Sequence, residues 1–165
     1  MALEIERRFL IKNDNWKKFI TKKIFIEQGY LSKSLDDWII RIRFTGKDYK
    51  IALKKHIESF SNFEFEYSIP RDDGEIIMSN LSNTIKKERF YLEVEKKCWI
   101  IDCFKEKNYP LEIAEIELSN EEEDLILPSF ISKEITGLKY YSNFSLAINP
   151  FSKWTEDYLT TLKNN

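Results

Sequence analysis

A chain of 165 residues with 42% hydrophobic and 15% aromatic content carries enough apolar surface for one globular domain with its own core. One third of the residues are charged, yet the formal net charge is only −2, which excludes both a nucleic-acid-coating base and an acidic tail. No apolar run approaches the roughly 20 residues that span a bilayer, and the first residues lack a signal peptide's apolar stretch, so a cytoplasmic protein without membrane or nucleic-acid partners is expected.

The first predicted element, a strand over residues 2–12, sets the pattern for the rest. Side chains alternate along a strand with period two, so Glu4, Glu6 and Arg8 share one face. A short helix is predicted over 14–23, then strands over 24–33 and 38–46. In the second of these, Arg41 and Arg43 face one way while Trp38, Ile40, Ile42 and Phe44 face the other. The strand at 48–56 sets Lys50 and Lys54 opposite Tyr49, Ile51 and Leu53, and the strand at 60–69 alternates Glu64 and Glu66 with aromatics. Pro70-Arg71-Asp72-Asp73-Gly74 marks a turn before a helix at 73–81. Strands follow at 84–96, carrying Lys87 and Arg89, at 98–105, where Asp102 sits among Ile100, Ile101, Cys103 and Phe104, and at 110–118, carrying Glu115 and Glu117. Ser119 and Glu122 have capping-box spacing and predict a helix over 119–127 that Pro128 stops. Phe151, Trp154, Tyr158, Leu159 and Leu162 predict an amphipathic C-terminal helix over 152–163.

Long charges of both signs thus recur where an ordinary sheet has its second face. The expected fold is α+β, mainly β: eight antiparallel strands closed into a barrel, with helices packed outside and the charged face turned inward as a tunnel. Residues 1–149 form the tunnel domain, and 150–165 a helix packing on it. Cys98 and Cys103 stand at odd spacing on one strand and read as free thiols in a reducing compartment. The single histidine, His56, reads as incidental, and so few cysteines and histidines exclude a zinc cluster. The four glycines form no phosphate-cradling loop.

The Glu4/Glu6 and Glu115/Glu117 pairs offer the oxygen ligands that hard cations such as Mg²⁺ and Mn²⁺ prefer, and an acid as enclosed as Asp102 must be paired, metal-bound or shifted in pKa. Arg41, Arg43, Lys54, Lys87 and Arg89 supply cations suited to phosphate oxygens, or to cross-strand pairing with those same carboxylates.

These residues, in order, resemble the CYTH, or triphosphate tunnel metalloenzyme, superfamily. Glu4-Ile5-Glu6-Arg7-Arg8-Phe9 looks like its E-x-E-x-K signature. Gln28-Gly29-Tyr30-Leu31, Arg41-x-Arg43, Ala52-Leu53-Lys54, Glu64-x-Glu66, Lys87-x-Arg89, Asp102 and Glu115-x-Glu117 follow in the family's order across residues 1–147. The nearest likeness is to small bacterial members that hydrolyse inorganic tripolyphosphate. The resemblance implies that Glu4, Glu6, Asp102, Glu115 and Glu117 hold one or two Mg²⁺ or Mn²⁺ ions. It implies that Arg8, Arg41, Arg43, Lys54, Lys87 and Arg89 bind the triphosphate, and that Tyr30 beside Arg8 assists the attacking water. The implied enzyme is a metal-dependent triphosphatase, monomeric or homodimeric. Alternatives are an adenylyl cyclase making cyclic AMP from ATP, a thiamine triphosphatase, and a catalytically weak polyphosphate-binding protein. Two departures stand out: Arg8 replaces the signature lysine, and the late D-x-R-Y-x-N-like segment reads Leu138-Lys139-Tyr140-Tyr141-Ser142-Asn143, with Tyr140 at the arginine position.

Overall fold

The computed structural model describes residues 3–32, 34, 37–58 and 61–156. Its strands are β1 (Leu3–Ile11), β2 (Ile20–Tyr30), β3 (Ile39–Phe44), β4 (Tyr49–Glu58), β5 (Ser61–Ile69), β6 (Thr84–Val94), β7 (Lys97–Phe104), β8 (Glu112–Glu117) and β9 (Ile131–Glu134). Two α-helices lie wholly within the described residues, α1 (Arg71–Ser79) and α2 (Asn143–Ile148). The strands run in the order β5-β4-β3-β2-β6-β7-β8-β1-β9, and an additional β5–β1 pairing closes eight of them into an antiparallel barrel. All eight expected strands are present.

Closure takes place on β1. One edge pairs with β8, Glu6 to Glu117 through Leu10 to Ile113. The opposite edge is shared: Leu3 to Ile5 meet β5, and Phe9 and Ile11 meet β9. Alternation along β1 sends Ile5 and Phe9 outward, into a core with Trp16, Leu92, Trp99, Ile101, Ile116 and Phe130. A second outer cluster packs α1 on β3 and β4 through Met78, Ile42 and Tyr49. Gly74 permits that approach, because a Cβ there would come within 2.2 Å of the Tyr49 ring. Among the described residues no helix is long and apolar enough to cross a membrane.

The helices depart most from expectation. Residues 14–23 hold only a 3-10 turn, Asp14–Phe19, before the β-branched run from Ile20 pulls the chain into β2. The helix expected over 119–127 does not form. Asn120 Oδ1 accepts from the Glu122 N–H, Glu123 accepts from the Ser119 N–H, and Glu121 is drawn to the Ser61 hydroxyl, so side chains take the place of helical bonding. At the start of the C-terminal segment a 3-10 turn forms at Phe151–Lys153 and Glu156 is helical; most of the helix expected over 152–163, with Tyr158, Leu159 and Leu162, lies outside the described residues. Trp154 packs on Tyr141 at 5.2 Å and on Phe151 at 5.1 Å.

Nor do all helices pack outside. Phe144 and Leu146 of α2 join Tyr30, Ile85, Phe104 and Ile113 in a third core cluster at one end of the barrel. Neither α2 nor β9 was expected from the sequence. Cys98 and Cys103 are free, as expected.

Candidate active site

Register places the charged residues next to one another. Glu6 stands opposite Glu117 and Arg8 opposite Glu115 across β1–β8. Tyr30 is paired with Arg41 and Gln28 with Arg43 across β2–β3. Lys54 faces Glu64 across β4–β5, and Arg89 faces Asp102 across β6–β7. Inward positions on neighbouring strands therefore bring acids and bases within reach of one another.

Three ion clusters result. In the first, the Lys54 ammonium contacts Glu4, lies 2.9 Å from Glu6 and reaches Glu64 at 3.6 Å. Three carboxylates around one cation leave excess negative charge. Burial, reinforced by the charge on Glu6, pushes the Glu4 carboxyl up to about 7. Burial acts on Glu6 too, but Lys54 and Arg8 outweigh it and hold that carboxyl near 2. In the second cluster Glu64 takes Arg41 at 2.5 Å, while Glu66 takes Arg43 at 3.2 Å and Lys50 at 2.9 Å.

The third cluster is the most enclosed. Asp102 and Lys87 are both fully buried and bonded to each other. Arg89 grips Asp102 with two bonds of 2.7 Å and reaches Glu115 at 2.9 Å. Glu115 also receives Arg8 Nε at 3.1 Å. Burial opposes charge on Asp102, yet Arg89 and Lys87 hold its carboxyl far below the usual range. Burial dominates at Lys87 and lowers its ammonium to about 8.

Not every buried donor finds a partner in these clusters. Arg8 Nη2, Arg41 Nε and Arg43 Nε are buried with no hydrogen-bond acceptor. An unsatisfied buried guanidinium nitrogen is unfavourable, and phosphate oxygens are its natural complement. A cavity of about 480 Å³ opens against Arg8 and Arg41, lined also by Glu6, Tyr30, Lys54 and Asn143 among others. Tyr30 is 4% exposed and stacks edge-on against Phe144 at 5.4 Å. Its hydroxyl accepts from Gln28 Nε2 at 3.4 Å, which leaves the phenolic hydrogen free to donate. Burial pushes that phenol up to about 12, so it stays protonated.

Most of the expected residues fall into two settings, and Glu4 and Arg43, paired with Lys54 and Glu66, belong to neither. Glu6, Arg8, Tyr30, Arg41 and Lys54 line the open cavity, whereas Lys87, Asp102, Arg89 and Glu115 form the closed network beside it. Glu117 is exposed and has no ion-pair partner among the described residues. Sequence reasoning did not include Glu64 and Glu66 in the site, although they carry the same alternation; the structure makes them counter-ions of Arg41 and Arg43. It missed Asn143, whose Oδ1 accepts from Lys87 at 3.3 Å and which lines the cavity. His56, read as incidental, also lines the cavity wall. In the altered late segment, Lys139 stands at the cavity while Tyr140 stacks on Tyr141 and Trp154.

Among the described residues no three acid, histidine or cysteine side chains are gathered closely enough to hold an ion. The donor chemistry nevertheless fits a hard divalent cation. Glu4, Glu6 and Glu64 already surround a cation, the Lys54 ammonium, and Glu117 stands free opposite Glu6.

No family model matches the chain. An inorganic triphosphatase from Acetivibrio thermocellus is 33% identical over 159 residues, spanning 94% of this chain and the whole of that protein. One from Nitrosomonas europaea is 27% identical over 150 residues, spanning 88% and 97%. The crystal structure of an inorganic triphosphatase superposes with a TM-score of 0.67 at 26% identity, covering 90% of this chain and 96% of that one. An adenylyl cyclase-like protein from Hippeastrum with a dominant triphosphatase activity shares the fold at a TM-score of 0.56 and 15% identity, covering 74% and 81%. A relative so similar over nearly the full length, together with the closed barrel and its inward charges, shows that the chain belongs to the inorganic triphosphatases of the CYTH, or triphosphate tunnel, superfamily.

Proposed function

We propose that the tunnel binds inorganic tripolyphosphate and hydrolyses it with the help of Mg²⁺ or Mn²⁺. The carrying observation is the pair of unsatisfied guanidinium nitrogens on Arg8 and Arg41, two residues that line a cavity of about 480 Å³, with a third on Arg43 of the same strand as Arg41. Phosphoryl transfer depends on positioning and charge neutralisation more than on a protein nucleophile, and that is what these side chains provide. Arg8, Arg41, Arg43 and Lys54 clamp the phosphates, with Lys87 and Arg89 behind them. Tyr30 donates a hydrogen bond to the attacking water or the scissile oxygen; a phenol held near 12 does not serve as a base.

Glu4, Glu6, Glu115 and Glu117 would hold the metal, which when bound supplies Lewis-acid neutralisation of phosphate charge. Asp102, fully buried against Lys87 and Arg89, keeps those cations charged and in place in this reading. The test is phosphate and pyrophosphate release from tripolyphosphate, ATP and thiamine triphosphate with either metal. Orthophosphate release fastest from tripolyphosphate is expected; cyclic AMP with pyrophosphate from ATP, or binding without turnover, would overturn the reading.

Arg43→Ala is expected to weaken tripolyphosphate binding roughly tenfold or more, since each charge-assisted contact contributes about 1.5–3 kcal/mol. Burial and the adjacent Arg41 and Arg89 lower the Arg43 pKa, so a polyanion relieves that repulsion and should also raise the Tm of the wild type. An unchanged Kd by calorimetry would show that these cations serve only as internal ion pairs.

Arg8→Lys should raise turnover at similar affinity. The guanidinium is spread over Glu115 and the Tyr141 carbonyl at 3.1 Å, whereas an ammonium is compact enough to leave room for water beside Tyr30. Tyr30→Phe should lower turnover by on the order of tenfold, one hydrogen bond to a developing charge. Equal kcat in all three proteins would remove both residues from the mechanism.

A further inference from the structure

α2 has a cavity at each end. Asn143 and Phe144, at its start, line the tunnel cavity, while Leu146 to Ile148, at its end, line a separate cleft of about 210 Å³. Lys86, Lys105, Lys107 and Lys153 converge on that second cleft. The one acid among its described lining residues is Glu106, which is bonded to Lys86 at 2.9 Å, and Lys105 turns to Glu88 at 2.5 Å. Lys107 and Lys153 have no ion-pair partner among the described residues. Four lysines against Glu106 and Glu88 leave an excess of +2, carried by Lys107 and Lys153, on a chain whose net charge is −2.

The frame that holds these lysines together is buried. Asn108 is 4% exposed; its Oδ1 accepts from the Phe151 N–H at 2.8 Å and its Nδ2 donates to the Leu146 carbonyl at 3.2 Å. One side chain thereby ties the turn carrying Lys107 to the turn carrying Lys153 and to the end of α2. The Lys105 N–H donates to the Lys86 carbonyl at 2.9 Å, which fixes the other two lysines relative to each other. Like charges mounted on such a frame repel unless an anion lies between them.

We propose that this cleft is a second anion site, and that it takes a small phosphate anion, orthophosphate or pyrophosphate. Ammonium groups from separate segments around a cleft suit a compact, multiply charged oxyanion, and Ser82, Asn83 and Thr84 on the same wall offer neutral hydrogen-bond donors. A nucleic-acid backbone, by contrast, calls for an extended basic track rather than a cleft of this size. The site stands apart from the tunnel's activity and can be present whether or not the tunnel turns over triphosphate.

Amide NMR of the full chain, titrated separately with orthophosphate and pyrophosphate against sodium chloride of matched ionic strength, tests it. Saturable shifts at Lys107 and Lys153 are expected, and the anion that saturates at lower concentration is the ligand. Lys107→Ala with Lys153→Ala, at two exposed positions, should weaken these shifts at least roughly tenfold while the tunnel's own shifts at Tyr30 and Arg41 keep their affinity. Arg43→Ala should do the reverse. Shifts that chloride reproduces, or cleft affinity unchanged in the double variant, would overturn the proposal.

Discussion

Asp102→Ala is expected to destabilise the folded chain by about 3–5 kcal/mol, because it removes one member of a fully buried ionic network and leaves the others uncompensated. Lys87 and Asp102 are both inaccessible to water, so neither can find a solvent partner once the other is gone. For a domain of this size the loss lowers the Tm by roughly 10 °C or more. Lys87 has a partial escape: its ammonium already sits near 8, and without Asp102 it would shed its proton. Arg89 has no such route, and keeps only Glu115. The double variant Asp102→Leu with Lys87→Met should therefore recover part of the lost stability, since it removes charge of both signs and restores volume. A Tm for Asp102→Ala within a degree or two of wild type would show that the network is dispensable.

The same cluster has a pH signature. The unfolded chain holds the Lys87 proton up to about 10.5, whereas the folded one releases it near 8. Across that window the unfolded state binds more protons, so the Lys87 contribution to stability rises with pH. Lys54 works in the opposite sense but elsewhere. Its pKa is raised despite burial, by Glu6 and Glu4, so its contribution is lost only above 10.5. Denaturant melts between pH 8 and 10 should show the rise in wild type and its absence in Lys87→Met.

Glu117→Gln, or an excess of chelator, is expected to remove tripolyphosphate hydrolysis while leaving the fold intact. Glu117 is exposed and unpaired among the described residues, so an amide of the same shape disturbs no ion pair. It stands opposite Glu6, whose own carboxylate is held charged near 2. A divalent ion prefers charged oxygen to amide oxygen, and losing one such ligand weakens the site by orders of magnitude in turnover. The variant should keep the wild-type melting profile, and added Mn²⁺ should raise the Tm of the wild type more than that of Glu117→Gln. Full turnover in chelator would eliminate the metal from the mechanism.

Much of the barrel was legible because a period of two is imposed by the backbone itself: Glu4/Glu6, Arg41/Arg43 and Glu115/Glu117 can share a face only on extended strands. Which acid meets which base was not legible. Register lines Arg41 up with Glu66, across Ala52, yet the side chain leans diagonally to Glu64, and such a lean is not written in the alternation. β9 escaped notice because Ile131-Ser132-Lys133-Glu134 is four residues long and has one apolar side chain to declare a face. α2, at six residues, is shorter than the span in which helical periodicity shows. The helix expected at Ser119 failed for a local reason, since Asn120 and Glu123 bond to nearby N–H groups sooner than a helix can.

The shared edge of β1 also determines when the molecule becomes itself. Its partners lie at residues 61–63, 113–117 and 131–134, so β1 pairs only with segments far along the chain. Contacts of such long sequence separation form late and slowly. Glu4, Glu6 and Arg8 all ride on that strand, so the place for a triphosphate comes into being only as the seam shuts. A polyanion in solution then has nothing to hold until folding is nearly done, and acts on the chain as a latch on the finished barrel rather than as a template for building it.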